Sequence, residues 1–203
     1  MAATDPVQTP KIHSNSNKNG TEIRFPLGGN VYATAGHFRK KVEVSLRHFH
    51  RTFLRPNRKL KGDTRTGVFL TPEQWRTLKL NMSGVSAALQ AYTAAAMPDD
   101  PTLFSPRRFN LGNLTYAIVQ ISRGEIVVTM REYFQRRPEF RRGPPNDDFD
   151  DLLPGKRCLK LSAAQWYALE ENSQKIDTVL EAVTEKTDFL TDKLLNNIVG
   201  CDV

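Results

Sequence analysis

An internal repeat constrains this chain more than any other feature, because it fixes the number of folding units before any element is assigned. Phe25, Leu27, Gly28, Tyr32, Val42, Val44, Leu46, Arg47 and Phe49 recur without a gap 84 residues later as Phe109, Leu111, Gly112, Tyr116, Ile126, Val128, Met130, Arg131 and Tyr133. A second block, Leu70-Thr71-Pro72-Glu73-Gln74-Trp75 with Leu78, recurs 91 residues later as Leu161-Ser162-Ala163-Ala164-Gln165-Trp166 with Leu169. The loop between the blocks is thus 7 residues longer in the second copy. Each unit is near the size at which one core barely supports itself, and pairing the two relieves that limit.

The first block of each copy alternates apolar and polar residues, as in Val42-Glu43-Val44-Ser45-Leu46-Arg47, which is the period of a half-buried strand. Turn signals at Gly28-Gly29-Asn30 and Gly112-Asn113, and at Arg39-Lys40 and Arg123-Gly124, divide the pattern into hairpins. Strands are expected over 22–28, 30–37, 41–51 and 66–70, and over 107–112, 114–121, 125–135 and 157–161. A helix follows each set. Thr71 and Ser162 read as N-caps, Gln74 and Gln165 complete capping boxes, and Pro72 takes the first helical position. Beyond the caps, Trp75, Leu78, Met82, Val85, Leu89 and Tyr92 step by 3, 4, 3, 4, 3, and Trp166, Leu169, Ser173, Ile176, Leu180 and Val183 step identically. That spacing predicts a helix–helix seam, with the Trp and Leu positions also on their own sheets. The expected fold class is α+β: two copies of a four-stranded antiparallel sheet followed by one helix, the helices packed together. Residues 1–21, rich in Ser, Asn and Thr, read as a disordered tail, 22–92 as the first unit, 93–106 as a Pro-containing linker, 107–183 as the second unit, and 184–203 as a tail that continues or restarts a helix.

Charge is distributed unevenly between the copies. The net charge is +7, yet residues 23–92 hold 13 Lys and Arg against 3 Asp and Glu, whereas residues 107–183 hold 12 against 11. A basic first half points to a polyanion. No apolar run approaches the roughly 20 residues of a membrane span, the N-terminus lacks the pattern of a secretory signal, and two cysteines, Cys158 and Cys201, suggest no disulfide framework. No metal and no cofactor is expected, since His48-x-His50 lacks nearby Cys or acidic ligands, and no nucleophile triad or phosphate-cradling glycine motif is evident. The chain does not read as an enzyme.

With these motifs in place, a resemblance can be named. Gly67-Val68-Phe69-Leu70-Thr71-Pro72-Glu73-Gln74-Trp75, with Phe38-Arg39-Lys40-Lys41-Val42 and Leu46-Arg47-His48-Phe49 before it, resembles the C-terminal domain of the eukaryotic transcriptional coactivator positive cofactor four. The likeness spans residues 22–92 and, more loosely, 107–183, through Met130-Arg131-Glu132-Tyr133-Phe134 and Lys156-Arg157-Cys158-Leu159-Lys160-Leu161-Ser162. It implies a curved four-stranded sheet and helix that dimerises through the helices and grips single strands on its sheets. Two copies in one chain then look like that dimer fused, a monomeric pseudo-dimer unless it assembles further. The resemblance also implies action in the nucleus, a host's were the source viral.

Single strands are held by basic side chains along the phosphates and aromatic faces on the bases. Phe38, Lys41 and Arg47 match ligand-contacting positions of the family, and Arg65 matches a basic position before the fourth strand. Arg39, Lys40, Phe49 and His50 adjoin them, with His50 where the family has a strand-end tryptophan. The loop basic residues Arg58, Lys59 and Lys61 supply charge that Gly29, Val31 and Gly36 do not. The second copy offers Arg123, Arg131, Tyr133, Phe134, Lys156 and Arg157, but Ser122 and Glu125 replace Phe38 and Lys41. Its longer loop carries Asn146-Asp147-Asp148-Phe149-Asp150-Asp151, a run that repels phosphate, occupies a basic groove as a mimic, or is simply solvated. The expected partner is single-stranded DNA in replication or transcription, gripped mainly by the first copy. Single-stranded RNA, unwound duplex, and an adaptor role toward transcription or replication proteins are the alternatives.

Overall fold

The computed structural model describes residues 15–17, 20–38, 41–50, 61–94, 105–136 and 149–199, with side chains described for 22–38, 41–49, 67–94, 105–136, 149 and 151–185. Among the described residues nine strands and two long helices follow one another as β1 (Asn15–Asn17), β2 (Gly20–Gly28), β3 (Val31–Phe38), β4 (Lys41–His50), β5 (Lys61–Leu70), α1 (Pro72–Ala94), β6 (Arg107–Gly112), β7 (Thr115–Ser122), β8 (Glu125–Gln135), β9 (Leu152–Ser162) and α2 (Ala163–Val199). They form two antiparallel sheets in sequence order, β1 to β5 and β6 to β9. Each repeat is thus a four-stranded meander and a helix, and the fold is α+β. A 3-10 turn, Phe149–Asp151, precedes β9.

Two expectations are corrected. Asn15–Asn17 pairs with Gly20–Glu22 as a short fifth strand, inside the segment read as a disordered tail. The fourth strands begin earlier than the apolar pattern showed, at Lys61 and Leu152, because the ladder resumes beyond a bulge, pairing Phe49 with Gly62 and Tyr133 with Pro154. Of the two readings of 184–203, continuation holds: the second helix runs on past 183 to Val199.

Local chemistry accounts for the remaining boundaries. The first hairpin turns on Gly29 and Asn30, both with positive φ, and its counterpart on Asn113 and Leu114, as a two-residue turn matching the strand twist requires. The next hairpin of the second copy turns on Arg123 and Gly124 in the same way. Both capping boxes form: the Thr71 N–H donates to Gln74 Oε1 at 3.0 Å and the Gln74 N–H to Thr71 Oγ1 at 3.2 Å, and Ser162 and Gln165 repeat the pair at 3.0 and 3.3 Å.

The apolar stripes of the helices do not pack chiefly on their own sheets. α1 lies against β6, β7 and β8 of the second repeat, while α2 lies against β2, β3 and β4 of the first, with lesser contact to their own strands. Phe25, Val44, Leu70, Trp75, Leu78, Met82, Val85, Leu89, Leu111, Val128, Trp166, Leu169, Ile176 and Leu180 consequently share one buried cluster, and Val183 is buried as well. Burying such side chains contributes about 1.5–3 kcal/mol each, so neither repeat retains its full core alone.

Hydrogen bonds between the repeats follow the 84- and 91-residue offsets. Gln74 Nε2 donates to the Gly112 carbonyl at 3.0 Å and to Thr115 Oγ1 at 3.1 Å, and Gln165 Nε2 donates to the matched Gly28 carbonyl at 3.0 Å. Trp75 Nε1 donates to Asp177 Oδ1 at 2.7 Å, and Trp166 Nε1 donates to Ser86 Oγ, the residue matched to Asp177, at 2.9 Å. As the residue on α1 rises from 75 to 86 its partner on α2 falls from 177 to 166, so the helices cross antiparallel.

Gln74→Ala removes a cap and two bonds to the second repeat, and leaves Thr115 buried, at a cost of about 1–3 kcal/mol. Gln165→Ala, at a more exposed site with one such bond, costs less. Denaturant melts of the two variants check the order.

Candidate nucleic-acid interface

Strand alternation sends Val44 and Leu46 of β4 into the core and Lys41, Glu43, Ser45 and Arg47 to the opposite face, where Phe38 of β3 and Phe69 of β5 join them. Arg47 lies at the centre of this face. Its guanidinium stands over three rings, 5.6 Å from the Phe38 centroid, 5.3 Å from Phe49 and 5.4 Å from Phe69. Phe38 and Phe69 are themselves 5.7 Å apart at a 32° tilt. A desolvated cation over an aromatic face gains up to about 2 kcal/mol, which explains how so polar a group tolerates only 6% exposure. The backbone makes room for it: Gly67 pairs with Arg47 across the ladder, and a Cβ there would come within 2.4 Å of Arg47 Cγ.

Burial pushes the Arg47 guanidinium below its ordinary range, against the pull of Glu22 and Glu43. Burial likewise raises the Glu43 carboxyl, opposed by Arg47, and Glu43 Oε1 has no hydrogen-bond partner among the described residues. Arg24 stands 4.7 Å over Phe49, and Phe49 meets Tyr32 edge-on at 5.2 Å.

A residue of the second repeat completes the cluster. β5 and β9 run side by side, and the Arg157 guanidinium stands 5.3 Å over Phe69 while holding Glu132 at 3.5 Å. The matched positions on the other side of the junction are Ser122 for Phe38, Lys160 for Phe69, Arg131 for Arg47 and Thr66 for Arg157. There Lys160 Nζ donates to Ser122 Oγ at 2.6 Å, and no ring is present at the matched positions.

The face of the second sheet carries a different cluster. Tyr133 and Tyr116 meet edge-on at 5.5 Å, and Phe149 from the acidic loop packs 4.7 Å from Tyr133 and 5.0 Å from Tyr116, under Arg108 at 4.1 Å. Burial raises the Tyr133 hydroxyl. Phe149 therefore packs onto this face and closes over Tyr133.

Of the sequence candidates, the structure brings together Phe38, Lys41, Arg47 and Phe49 on one sheet and Arg157 beside them. Lys41 is exposed, whereas Phe49, at 1% exposure, supports the face from beneath. Arg131 and Tyr133 are half-buried, and Arg123, Phe134 and Lys156 are exposed elsewhere on the second sheet. Arg39, Lys40, Arg58 and Lys59 lie outside the described residues, as do the side chains of His50, Lys61 and Arg65. Sequence reasoning missed Phe69 and Phe149 as parts of the two faces. For Phe69 the signal existed in the alternation Val68-Phe69-Leu70, which turns its ring away from the core. Among the described residues no group of three or more His, Cys, Asp and Glu is placed to hold a metal, and no helix is long and apolar enough to cross a membrane.

The Glu43 shift has a direct consequence. A carboxyl whose folded value is raised contributes stability when protonated and loses it as pH rises through that value. Glu43→Gln should therefore raise the melting temperature at pH 7, and the gain should vanish as pH falls below the ordinary carboxylate range. Melts from pH 3 to 8 read both limbs.

No protein-family model matches the chain, and no solved structure matches it. A Caenorhabditis elegans protein described as "Putative RNA polymerase II transcriptional coactivator" is 33% identical over 69 residues, which are 34% of this chain and 48% of that protein. The chain thus spans about half the length of this curated relative. The likeness is coactivator-like and covers a single repeat's worth of sequence.

Proposed function

We propose that the chain binds single-stranded DNA without sequence preference, through the face of the first sheet, with the two repeats acting as the halves of one dimer-like unit. The carrying observation is the cluster Phe38, Phe69 and Arg47, capped by Arg157 from the other repeat. Rings and cations interleaved on one open face are what base stacking and phosphate contact require, with stacking contributing ~1–3 kcal/mol per base. Lys41, exposed at the end of the Phe38 hairpin, supplies a phosphate contact, while buried Arg47 packs against the rings and adds positive potential among them.

The second repeat serves chiefly as partner. Ser122 and Glu125 replace the hairpin aromatic and lysine, and Phe149 covers Tyr133. Its contribution to the grip is Arg157, with Lys156 next to it. The relative's description assigns transcriptional coactivation to that protein, and we carry over transcription as the process and the nucleus as the place of action.

Fluorescence anisotropy with matched single strands, RNA strands and blunt duplex across a salt series tests the reading. Single-stranded DNA should bind best, with a slope of roughly −0.7 in log affinity against log salt for each phosphate contact. Phe38→Ala with Lys41→Glu should weaken binding tenfold or more, given ~1–3 kcal/mol per stacked base. Arg131→Ala with Phe134→Ala should cost less. Equal affinity for duplex, or affinity indifferent to salt, rejects the proposal, and tighter binding to RNA reassigns the ligand.

A further inference from the structure

The helix crossing carries two contacts that match under the repeat but differ in chemistry. On one side Asp177 accepts from Trp75 Nε1 at 2.7 Å and is ion-paired with Lys79. On the other, Ser86 Oγ accepts from Trp166 Nε1 at 2.9 Å and donates to Glu170 Oε2 at 2.9 Å. The 91-residue offset maps Ser86 onto Asp177 and Lys79 onto Glu170. One geometric slot is thus filled once by a lysine and an aspartate and once by a glutamate and a serine.

From this we infer that the crossing is a pairing code through which each repeat selects the other and rejects a second copy of itself. Two first repeats placed in the same geometry would set Lys79 against Ser86 twice, with no carboxylate for either ammonium. Two second repeats would set Glu170 against Asp177 twice, four carboxylates at a half-buried crossing. The mixed pair alone gives the lysine its aspartate and the glutamate a neutral hydroxyl donor, and charge repulsion in the wrong pairing supplies as much selectivity as attraction in the right one. Trp75 and Trp166 find an acceptor in every arrangement, so the tryptophans set the crossing and the four polar residues set its partners. The consequence reaches the sheet face: only in the mixed pair does Arg157 meet Phe69, since a like pair of first repeats would put Thr66 there.

The inference rests on the dimer-like reading above but not on strand binding, and its test reads stability rather than affinity. In the full chain, Ser86→Asp with Asp177→Ser sets a carboxylate beside Glu170 and strips Lys79 of its acceptor. The unfolding constant should rise tenfold or more, equivalent to about 3–6 °C in melting temperature for a chain of this size. Adding Lys79→Glu and Glu170→Lys transposes the whole set to the matched side, and the quadruple variant should recover most of the loss and the light-scattering mass of the parent. A quadruple variant no more stable than the double, or one that fails to fold, overturns the code, as does a double variant with unchanged stability. A recovered quadruple that binds no single strand would leave the code standing and count against the binding face.

Discussion

The reciprocal use of two glutamines organises this fold. Gln74 and Gln165 each spend the amide oxygen on capping their own helix and the amide nitrogen on a turn carbonyl of the opposite repeat. A helix start and a hairpin turn in different repeats are thereby fixed by one side chain. The turn must leave room for it: Gly29, with positive φ, would bring a Cβ within 3.1 Å of Gln165 Nε2. Once the starts are pinned, Trp75 and Trp166 locate the antiparallel crossing, and the apolar stripes below them chiefly cover the sheet of the opposite repeat.

That arrangement explains why an asymmetric face can arise from a repeated sequence. The core positions are shared by both sheets and cannot drift independently, so they retain aromatic and aliphatic residues in both copies. The outer faces carry no such restraint. On one side of the β5–β9 junction stand Phe38, Phe69 and Arg47 under Arg157. On the other the same four positions hold Ser122, Lys160, Arg131 and Thr66, and Phe149 seals the rings behind them.

Much of this was legible in the sequence because the signals were local. The capping boxes, the hairpin turns and the strand–helix order of each repeat depend on residues a few positions apart. The partner of each helix was not legible, since a stripe of Trp, Leu, Met and Val fits either sheet equally well. The extended fourth strands were hidden because Lys61 to Thr66 has no apolar alternation, and its pairing is imposed by β4 after the bulge. Arg47 was readable as a basic residue on the outer face of the first sheet, but its burial against three rings depends on Phe69 and Gly67, which no short-range pattern ties to it.

In the proposed function one face, completed by residues of both repeats, does the gripping. Calorimetric titration of the full chain with a short single strand, long enough to cover one sheet and too short to reach the second, tests it most directly. One strand per chain with a single affinity is the predicted result. Two strands per chain bound with equal affinity would contradict the account, because it would make the two sheet faces equivalent despite the residues that separate them.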